Sequence, residues 1–592
     1  MIHILPPGTA APGAVGLYVP GAGGKISRAG AIASLQRGKL ENALLGGKPG
    51  GAIKARLVPG LAAAPPAVYV QLPPPGTHPN TRRYLVSVDA PGYSGILTSG
   101  STHIDGLVAI PDITQTAVAL ARHQRPVIRS VSGSTAHLTW LDRRLARVHR
   151  DRGWTLWAIA MTLLLLALVW PRAAVVFGAA VVSVALWLEW TGTTRLWEVL
   201  LWMTLAPAAL AYLASLRRGW MPYAVAAFFL VFLLVLSLSP ETHALAVVGA
   251  RPDGGGRFYG IGNQVETLLL PPMLAAIVVG GLRWLVPIGG LALVTVAWSK
   301  AGADGGGLVV YAAALAVLVL RLRPGRVTWR RAVLAGACVV ALAFAVVGID
   351  AALGGSSHVT HAVGGGPGSL TGDFGHRLHL SWASATKSLP NIVLFVASLA
   401  LLVWIGTRSP RRPAVDAMLV GLALSLLLND TPVDVIGLGV LGCLALFRFE
   451  SVDSRRMRRG AALTLACAAA ILVLAGCGSQ GVKTATPNTV VGTVKQEAPG
   501  KAIFTTQGCG ACHTYAPAGP EANGNIGPDL DKLADYAKQA KQPLKAFVTK
   551  SIVNPNAYVQ PGFPKNVMPK SYASLPANDL KDLVDFLTTP QG

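Results

Sequence analysis

The chain has 592 residues, of which 52% are hydrophobic and only 13% are charged, and its formal net charge is +24. This composition is typical of a polytopic membrane protein and excludes a single soluble core. The basic residues lie in short segments between apolar runs, at 321–331, 407–413 and 454–460. Such segments are typical of cytoplasmic loops, so the positive charge indicates membrane topology and not nucleic-acid binding.

Residues 1–150 are rich in Gly, Pro and Ala and contain no run long enough to span a membrane. Short strand-like runs, such as AVYVQLP and YLVSVDA, alternate with turn residues, which predicts an α/β segment. The first residues do not combine a basic stretch with an apolar one, so no signal peptide is predicted there. The basic loops between the apolar runs predict that this segment lies outside the cell. We therefore expect it to be the incomplete end of a longer extracytoplasmic domain.

About eleven apolar runs follow, each long enough to cross a bilayer as a helix, some of them only with tilt or local thinning. The predicted spans are 153–170, 173–191, 197–216, 221–239, 266–282, 285–298, 303–322, 331–353, 389–406, 414–428 and 433–448. Placing the basic connections in the cytoplasm puts the loops 240–265 and 354–388 outside, together with the N-terminal segment. The sequence therefore predicts a polytopic α-helical bundle over residues 151–450.

Five ionisable residues near the ends of these spans are candidates for a function of the bundle, because charges in a membrane are costly. They are Glu266, Lys300, Asp304, Asp430 and Asp434. All lie on the predicted outer side, where a solvated boundary residue is the alternative interpretation. The glycine-rich stretches beside them have no preceding strand and no following Gly-Lys-Ser/Thr, which argues against a nucleotide-binding loop.

Residues 457–477 combine a basic start, an apolar run and the sequence Leu-Ala-Gly-Cys, which ends at Cys477. These are the parts of a bacterial lipoprotein signal, in which small residues admit a peptidase to a lipidated cysteine. Because signal peptides belong at N-termini, a twelfth membrane helix is the alternative. Either interpretation delivers the following residues to the outer face. Residues 478–497 are polar and contain Pro and Thr, which predicts a flexible linker.

The choice between Arg and Lys as the basic residue also changes near residue 457. Every Arg lies at or before Arg459, whereas eleven of the seventeen Lys lie from Lys483 onward. This change predicts two segments of separate origin, joined either as a true fusion or as two adjoining reading frames.

Cys509, Cys512 and His513 form a Cys-x-x-Cys-His motif near the C-terminus. Two thiols three residues apart can form thioethers with the two vinyl groups of one porphyrin, and the imidazole that follows can bind the iron. The alternatives are a redox dithiol, which does not need the histidine, and half of a zinc site, which needs a further Cys or His pair. Since the sequence after His513 contains no further Cys or His, we predict one covalently bound haem c.

Met568 is the predicted second axial ligand of the haem iron, because it is the one Met downstream of the motif and is followed by Pro. The alternative is a packing Met. No second His is present in this last segment, which excludes ligation by two histidines from within it. A His/Met pair raises the reduction potential and suits an electron carrier.

Residues 498–592 resemble a class I, single-haem cytochrome c domain through the stretches GKAIFTTQGCGACHT, NIGPDL and SIVNPNAYVQPGFPKNVMPKSYASLPANDLKDLVDFLTT. The resemblance implies an all-α domain in which the N-terminal helix crosses a C-terminal helix, here 580–587, near Phe504 and Phe586. It also implies that the Pro528 carbonyl accepts a hydrogen bond from the proximal His513.

The same stretch is similar to cytochrome domains attached to haem-copper oxidases or to quinol-oxidising complexes. The resemblance implies a terminal oxidase or a quinol-oxidising complex as the redox partner. We therefore expect a membrane-tethered electron carrier, and not a catalyst, on the outer face of the plasma membrane in a respiratory chain. The alternative is a polytopic transport or envelope protein to which the cytochrome is appended.

The first 450 residues weakly resemble uncharacterised bacterial multispanning proteins that carry an extracytoplasmic, alkaline-phosphatase-like domain. The resemblance lies in GLVAIPDITQTAVALA, which is similar to a D-x-x-P-T segment of that superfamily. Gln115 stands where the family has Pro, and most of the family's metal ligands would precede residue 1. No hydrolase site is therefore assigned.

Overall fold

The structure is a computed structural model, and it describes residues 1–5, 10–22, 24–40, 51–62, 64–193, 195–254, 257–325, 327–352, 381–383, 385–408, 412–428, 432–451, 499–519 and 522–589. The lipoprotein-like segment 457–477, the linker 478–497 and Asp430 lie outside these ranges. The described residues form two compact units. The first takes its residues from 1–143, 253–256 and 481–592, and the second from 144–252 and 257–480.

The N-terminal part of the first unit contains a mixed β-sheet. Its strands are β1 (Ile2–Ile4), β2 (Ala14–Tyr18), β4 (Leu57–Pro59), β5 (Ala67–Val70), β7 (Tyr84–Asp89), β8 (Ile96–Thr98), β9 (Leu107–Val108) and β10 (Arg129–Val131), and a separate pair is formed by β3 (Lys25–Ser27) and β6 (Thr77–Pro79). The order in the large sheet is β10-β8-β2-β7-β5-β1-β4, with β9 beside β2. The pairs β1–β4, β1–β5 and β2–β8 are parallel, and β2–β7 and β5–β7 are antiparallel.

Helices α1 (Arg28–Arg37) and α2 (Ile110–Ala121) accompany this sheet. Ser27 caps α1 by accepting a hydrogen bond from the Gly30 amide, which satisfies a donor in the first turn. The two strand-like runs of the sequence form β5 and β7. A sheet accompanied by helices is consistent with the predicted α/β segment.

The second unit is helical. Seven helices in its described residues are long and apolar enough to cross a membrane: α3 (Thr135–Val169), α6 (Leu196–Ser215), α7 (Met221–Leu238), α9 (Asn263–Gly280), α11 (Gly305–Leu322), α12 (Trp329–Ala352) and α13 (Leu389–Gly406). The shorter helices are α4 (Pro171–Ala174), α5 (Phe177–Trp190), α8 (Pro240–Ala244), α10 (Leu291–Ala297), α14 (Pro413–Leu428) and α15 (Pro432–Phe449). A π-helical turn, Leu285–Gly290, leads directly into α10.

Each of the eleven predicted spans falls on an apolar helical segment of this unit, which indicates a multi-pass membrane protein. The first span differs in one respect, because α3 begins at Thr135, well before the apolar run. Helix α9 is the central element: every residue from Gln264 to Ile277 is buried, and the helix contacts α5, α7, α11, α14 and α15. A helix that is buried on all sides in this way is expected at the core of a bundle.

In residues 499–519 and 522–589, the structure describes four short α-helices. They are α16 (Pro499–Thr506), α17 (Leu533–Gln539), α18 (Leu544–Val553) and α19 (Ala577–Thr588). Helices α16 and α19 cross, and their rings meet edge to face, with the Phe504 and Phe586 centroids 5.9 Å apart. The crossing that the resemblance implied is therefore present, and α19 extends a few residues beyond the expected 580–587.

Candidate haem-binding site

The Cys-x-x-Cys-His motif lies on one tight turn directly after α16. Gly508 has a φ of 70°, a left-handed conformation that suits glycine, and it redirects the chain out of the helix. A single 3-10 turn, Cys509–Ala511, follows, and the His513 amide donates to the Cys509 carbonyl over 3.0 Å. Both thiols and the imidazole are thereby held on adjacent positions of a short segment.

The His513 ring is oriented by a residue fifteen positions later. Its Nδ1 lies 2.7 Å from the Pro528 carbonyl oxygen. Since a carbonyl only accepts hydrogen bonds, Nδ1 must carry the proton, which leaves the Nε2 lone pair of the neutral ring for a metal. Burial lowers the pKa of His513, and the hydrogen bond to Pro528 opposes this shift. The predicted contact is present, and the ring is a suitable iron ligand.

Gly527 allows the imidazole to lie against the backbone. A Cβ atom at this position would come within 2.3 Å of His513 Cε1, so only glycine fits. The Gly527 and Ile526 amides donate to the Cys512 carbonyl over 2.7 and 3.0 Å, which ties the segment after the motif to the motif itself. Gly527 has no side chain and was not predicted as a site residue. Its position directly before Pro528 in the GPDL stretch is the sequence feature that could have identified it.

Neither cysteine of the motif is in a disulfide bond. Burial raises the pKa of Cys509 to about 12, with the neighbouring Cys512 as the next cause. Burial also raises the pKa of Cys512. Redox dithiols depend on a lowered thiol pKa, so these environments do not favour that alternative. The described residues include no group of three or more His, Cys, Asp or Glu side chains that could hold a metal ion.

Met568 packs against the same apolar cluster as Cys509, together with Phe504 and Leu583. In the loop before it, Asn556 and Asn566 form two hydrogen bonds with each other. Asn556 Nδ2 donates to Asn566 Oδ1, and the Asn566 amide donates back to Asn556 Oδ1, both over 2.8 Å. This reciprocal pair was not anticipated from the sequence. Ligation of iron by Met568 stays a prediction.

Two tyrosines connect the ends of this domain. The Tyr515 hydroxyl donates to the Phe586 carbonyl over 3.0 Å, and the Tyr572 hydroxyl donates to the Gln507 carbonyl over 3.2 Å. The first bond joins the motif region to α19, and the second joins α16 to the segment after Met568. Neither tyrosine was singled out in the sequence, because tertiary contacts give them their role.

The ionisable candidates in the bundle differ in how exposed they are to solvent. Glu266 is 1% exposed and Asp304 is 4% exposed, whereas Lys300 is exposed. Ser425 Oγ lies 3.5 Å from Glu266 Oε1, and Asp304 caps α11 by accepting from the Gly307 amide over 3.1 Å. Asp304 thus has a structural role. Asp430 and the Asp434 side chain lie outside what the structure describes.

The segment with the weak phosphatase resemblance forms β9 and α2. Asp112 is 3% exposed and accepts a hydrogen bond from the Ser101 hydroxyl over 2.9 Å. Burial raises the pKa of Asp112, and the Ser99 and Ser101 hydrogen bonds oppose this shift. Gln115 is exposed. Asp112 is thus a buried carboxyl group held by hydroxyl groups.

Comparison with known families supports the interpretation of the C-terminal segment. The family described as Cytochrome c matches residues 497–590. No curated protein and no solved structure matches the chain. The matched residues contain the motif turn, the His513–Pro528 contact and the α16–α19 crossing. This segment is a cytochrome c domain with one covalently bound haem c, and its class indicates electron transfer with redox partner proteins.

Proposed function

We propose that the chain is a membrane-tethered c-type cytochrome that transfers single electrons on the outer face of the plasma membrane. The contact that carries the proposal is the 2.7 Å approach of His513 Nδ1 to the Pro528 carbonyl, on a turn that also holds Cys509 and Cys512, neither of them in a disulfide bond. That combination fits a ligand histidine beside two attachment points, and it is not needed by a dithiol enzyme.

Four side chains and one carbonyl would hold the group. Cys509 and Cys512 would form the thioethers, and His513 and Met568 would supply the axial ligands. The Pro528 carbonyl would hold His513 in the required tautomer. When bound, the haem iron accepts one electron and gives it up again, without a proton or a broken bond in the protein. With His513 and Met568 as its two iron ligands, the site would suit a carrier and not oxygen chemistry.

The remaining parts of the proposal concern the location of the cytochrome domain and its redox partners. The basic connections of the bundle favour a cytoplasmic location for those loops, which puts the cytochrome domain outside. Residues 457–477 would act as a lipoprotein-type signal or as a final membrane helix. A role in a respiratory chain, with a terminal oxidase or a quinol-oxidising complex as partner, follows from the sequence similarity of the domain to cytochromes attached to such complexes.

The test is a reduced-minus-oxidised absorption spectrum of the full chain, produced with a c-type haem maturation system. We expect the α-band of a c-type haem and covalent haem staining. The variant C509A/C512A should lose both signals. The matched control is C338A, a free cysteine outside the motif, which should keep them. A wild-type chain without the band, or a double variant that keeps covalent haem, would overturn the proposal.

A further inference from the structure

A loop of the cytochrome c domain leads from α18 to Met568, the predicted axial ligand, and two asparagines close this loop. Asn556 Nδ2 donates to Asn566 Oδ1, and the Asn566 amide donates back to Asn556 Oδ1, both over 2.8 Å. The two residues are ten positions apart, so their bonds join the beginning of the loop 556–566 to its end. Met568 follows two positions after Asn566. The closed loop therefore limits where the Met568 side chain can lie.

The backbone of Asn566 changes the direction of the chain just before Met568. Asn566 has a φ of 64°, which is the left-handed conformation. Asparagine adopts this conformation more readily than most residues that carry a side chain, but the conformation still has a cost. Both the amide and the side chain of Asn566 bind Asn556, and these bonds offset that cost. Loss of the pair would therefore allow the chain to leave this conformation next to Met568.

The middle of the loop is attached to two helices of the domain. The Tyr558 ring meets Phe547 of α18 edge to face, with the ring centroids 5.2 Å apart. Gln560 Nε2 donates to Gln539 Oε1, at the end of α17, over 3.2 Å. The Phe563 amide donates to the Gln560 carbonyl over 3.1 Å, which forms a turn. The helices α17 and α18 therefore hold the middle of the loop, and the asparagine pair holds its end.

Met568 packs on the side of the domain that carries an attachment cysteine. It packs against the apolar cluster that includes Phe504 and Leu583, and Cys509 packs against the same cluster. A thioether favours ferrous over ferric iron, so its bond to iron is weaker in the ferric state. In that state, the bond depends more on a backbone that holds the sulfur in place, because a preorganised loop loses less entropy on binding.

We propose that Asn556 and Asn566 are positioning residues, whose two hydrogen bonds hold Met568 in place as the second axial ligand of the haem iron. The inference rests on the proposed function. Breaking the pair leaves the attachment cysteines and both axial ligands in the chain, but it allows the end of the loop to move. The Met568 sulfur then spends more time away from the iron, and a small external ligand competes more successfully for the same position.

The experiment is a titration of the full chain, in detergent and in the ferric state, with imidazole, followed by the loss of the sulfur-to-iron charge-transfer band. Imidazole competes with the sulfur, so its apparent Kd reports how firmly Met568 is held. N556A removes both hydrogen bonds and should lower the Kd roughly 5- to 30-fold. N566D keeps an acceptor for Asn556 and the backbone donor, so it should lie near the wild type. The matched control is N554A, at an exposed position just before the loop, which should also lie near the wild type.

The outcomes separate the two proposals. A wild-type chain without covalent haem contradicts the proposed function. Covalent haem without the charge-transfer band contradicts ligation by Met568 and the positioning role with it. A chain with haem and band contradicts the positioning role alone if N556A has the same Kd as the wild type, or if N554A lowers it equally.

If N556A does not accumulate, N556D/N566D is compared with N566D at equal haem content. In the double variant, two facing carboxylates replace one hydrogen bond with repulsion, so its Kd for imidazole should be the lower one. Equal values would overturn the positioning role.

Discussion

At His513, a local motif and a distant backbone group together place and orient the imidazole. The motif supplies the imidazole, and Pro528 supplies the acceptor that selects its tautomer. Gly527 adds a steric condition, since any side chain there would occupy the position of the ring. The residue types and their spacing were predictable from the sequence, because the attachment chemistry is local. The contact with Gly527 was not, because it depends on how two loops meet.

Met568 provides the first residue-scale prediction. If its sulfur is the second axial ligand, M568A should lose the sulfur-to-iron charge-transfer band of the oxidised spectrum and shift the haem potential downward, because a thioether favours ferrous iron. The measurement is the oxidised absorption spectrum of the full chain. The control is V567A, beside it in the same loop, which should keep the band. A band that persists in M568A would identify Met568 as a packing residue.

Asp112 provides a prediction about pH. Burial holds the pKa of Asp112 above its ordinary value, so the folded state binds its proton more tightly than the unfolded state. Its contribution to stability is therefore complete at low pH and is lost as the pH rises above about 4 through the raised pKa. D112N should remove this dependence and give higher amide protection of α2 at neutral pH than the wild type.

The measurement for Asp112 is hydrogen–deuterium exchange of the full chain, converted to protection factors at each pH. D105N, which changes an exposed carboxyl group of the same segment, serves as the control and should follow the wild type. Equal pH profiles for the wild type and D112N would show that the Asp112 carboxyl is not destabilised by burial.

At the scale of elements, the crossing of α16 and α19 depends on Gly500. A Cβ atom there would lie 2.1 Å from the Asp582 carbonyl oxygen and 2.4 Å from Phe586 Cβ. In an open helix, Gly→Ala stabilises by roughly 0.5–1 kcal/mol. Overpacking at a close contact costs about 1–3 kcal/mol, and the obstacle here is backbone, which cannot rotate away. The steric cost therefore exceeds the gain in helix propensity.

We accordingly expect G500A to destabilise the cytochrome domain by about 1–3 kcal/mol. The measurement is denaturant unfolding of the full chain, followed by the haem absorbance. N578A, at an exposed position of α19, is the control and should change the midpoint little. A midpoint for G500A at or above that of the wild type would mean that α16 and α19 accommodate the added Cβ atom without loss of stability.

The membrane helices were predictable because hydropathy is a local property of a run of residues. Every predicted span falls on an apolar helix, including the short ones. The start of α3 at Thr135 was not predictable in this way, since its first turns are polar and basic. Hydropathy reports where a helix enters the bilayer, whereas hydrogen bonding and packing decide where the helix begins.

At the scale of the whole molecule, the question is whether the two segments remain one chain. The lipoprotein-type interpretation predicts cleavage before Cys477, so haem staining after expression should reveal a band that contains residues 477–592 only. A true fusion would stain at the full 61.5 kDa. The variant C477A should prevent the cleavage, and C467A, another cysteine of the same apolar run, should not. A short band in C477A would contradict the lipoprotein-type signal.

The haem-attachment motif, the apolar runs and the change of character near residue 457 follow from the sequence by itself, because each depends on residue type and on spacing along the chain. Tertiary structure alone decided that Glu266 is buried beside Ser425 and that Gly527 and Pro528 contact the His513 ring. These contacts join residues that are far apart in the chain. They depend on how helices and loops pack in three dimensions, which neither hydropathy nor motif spacing encodes.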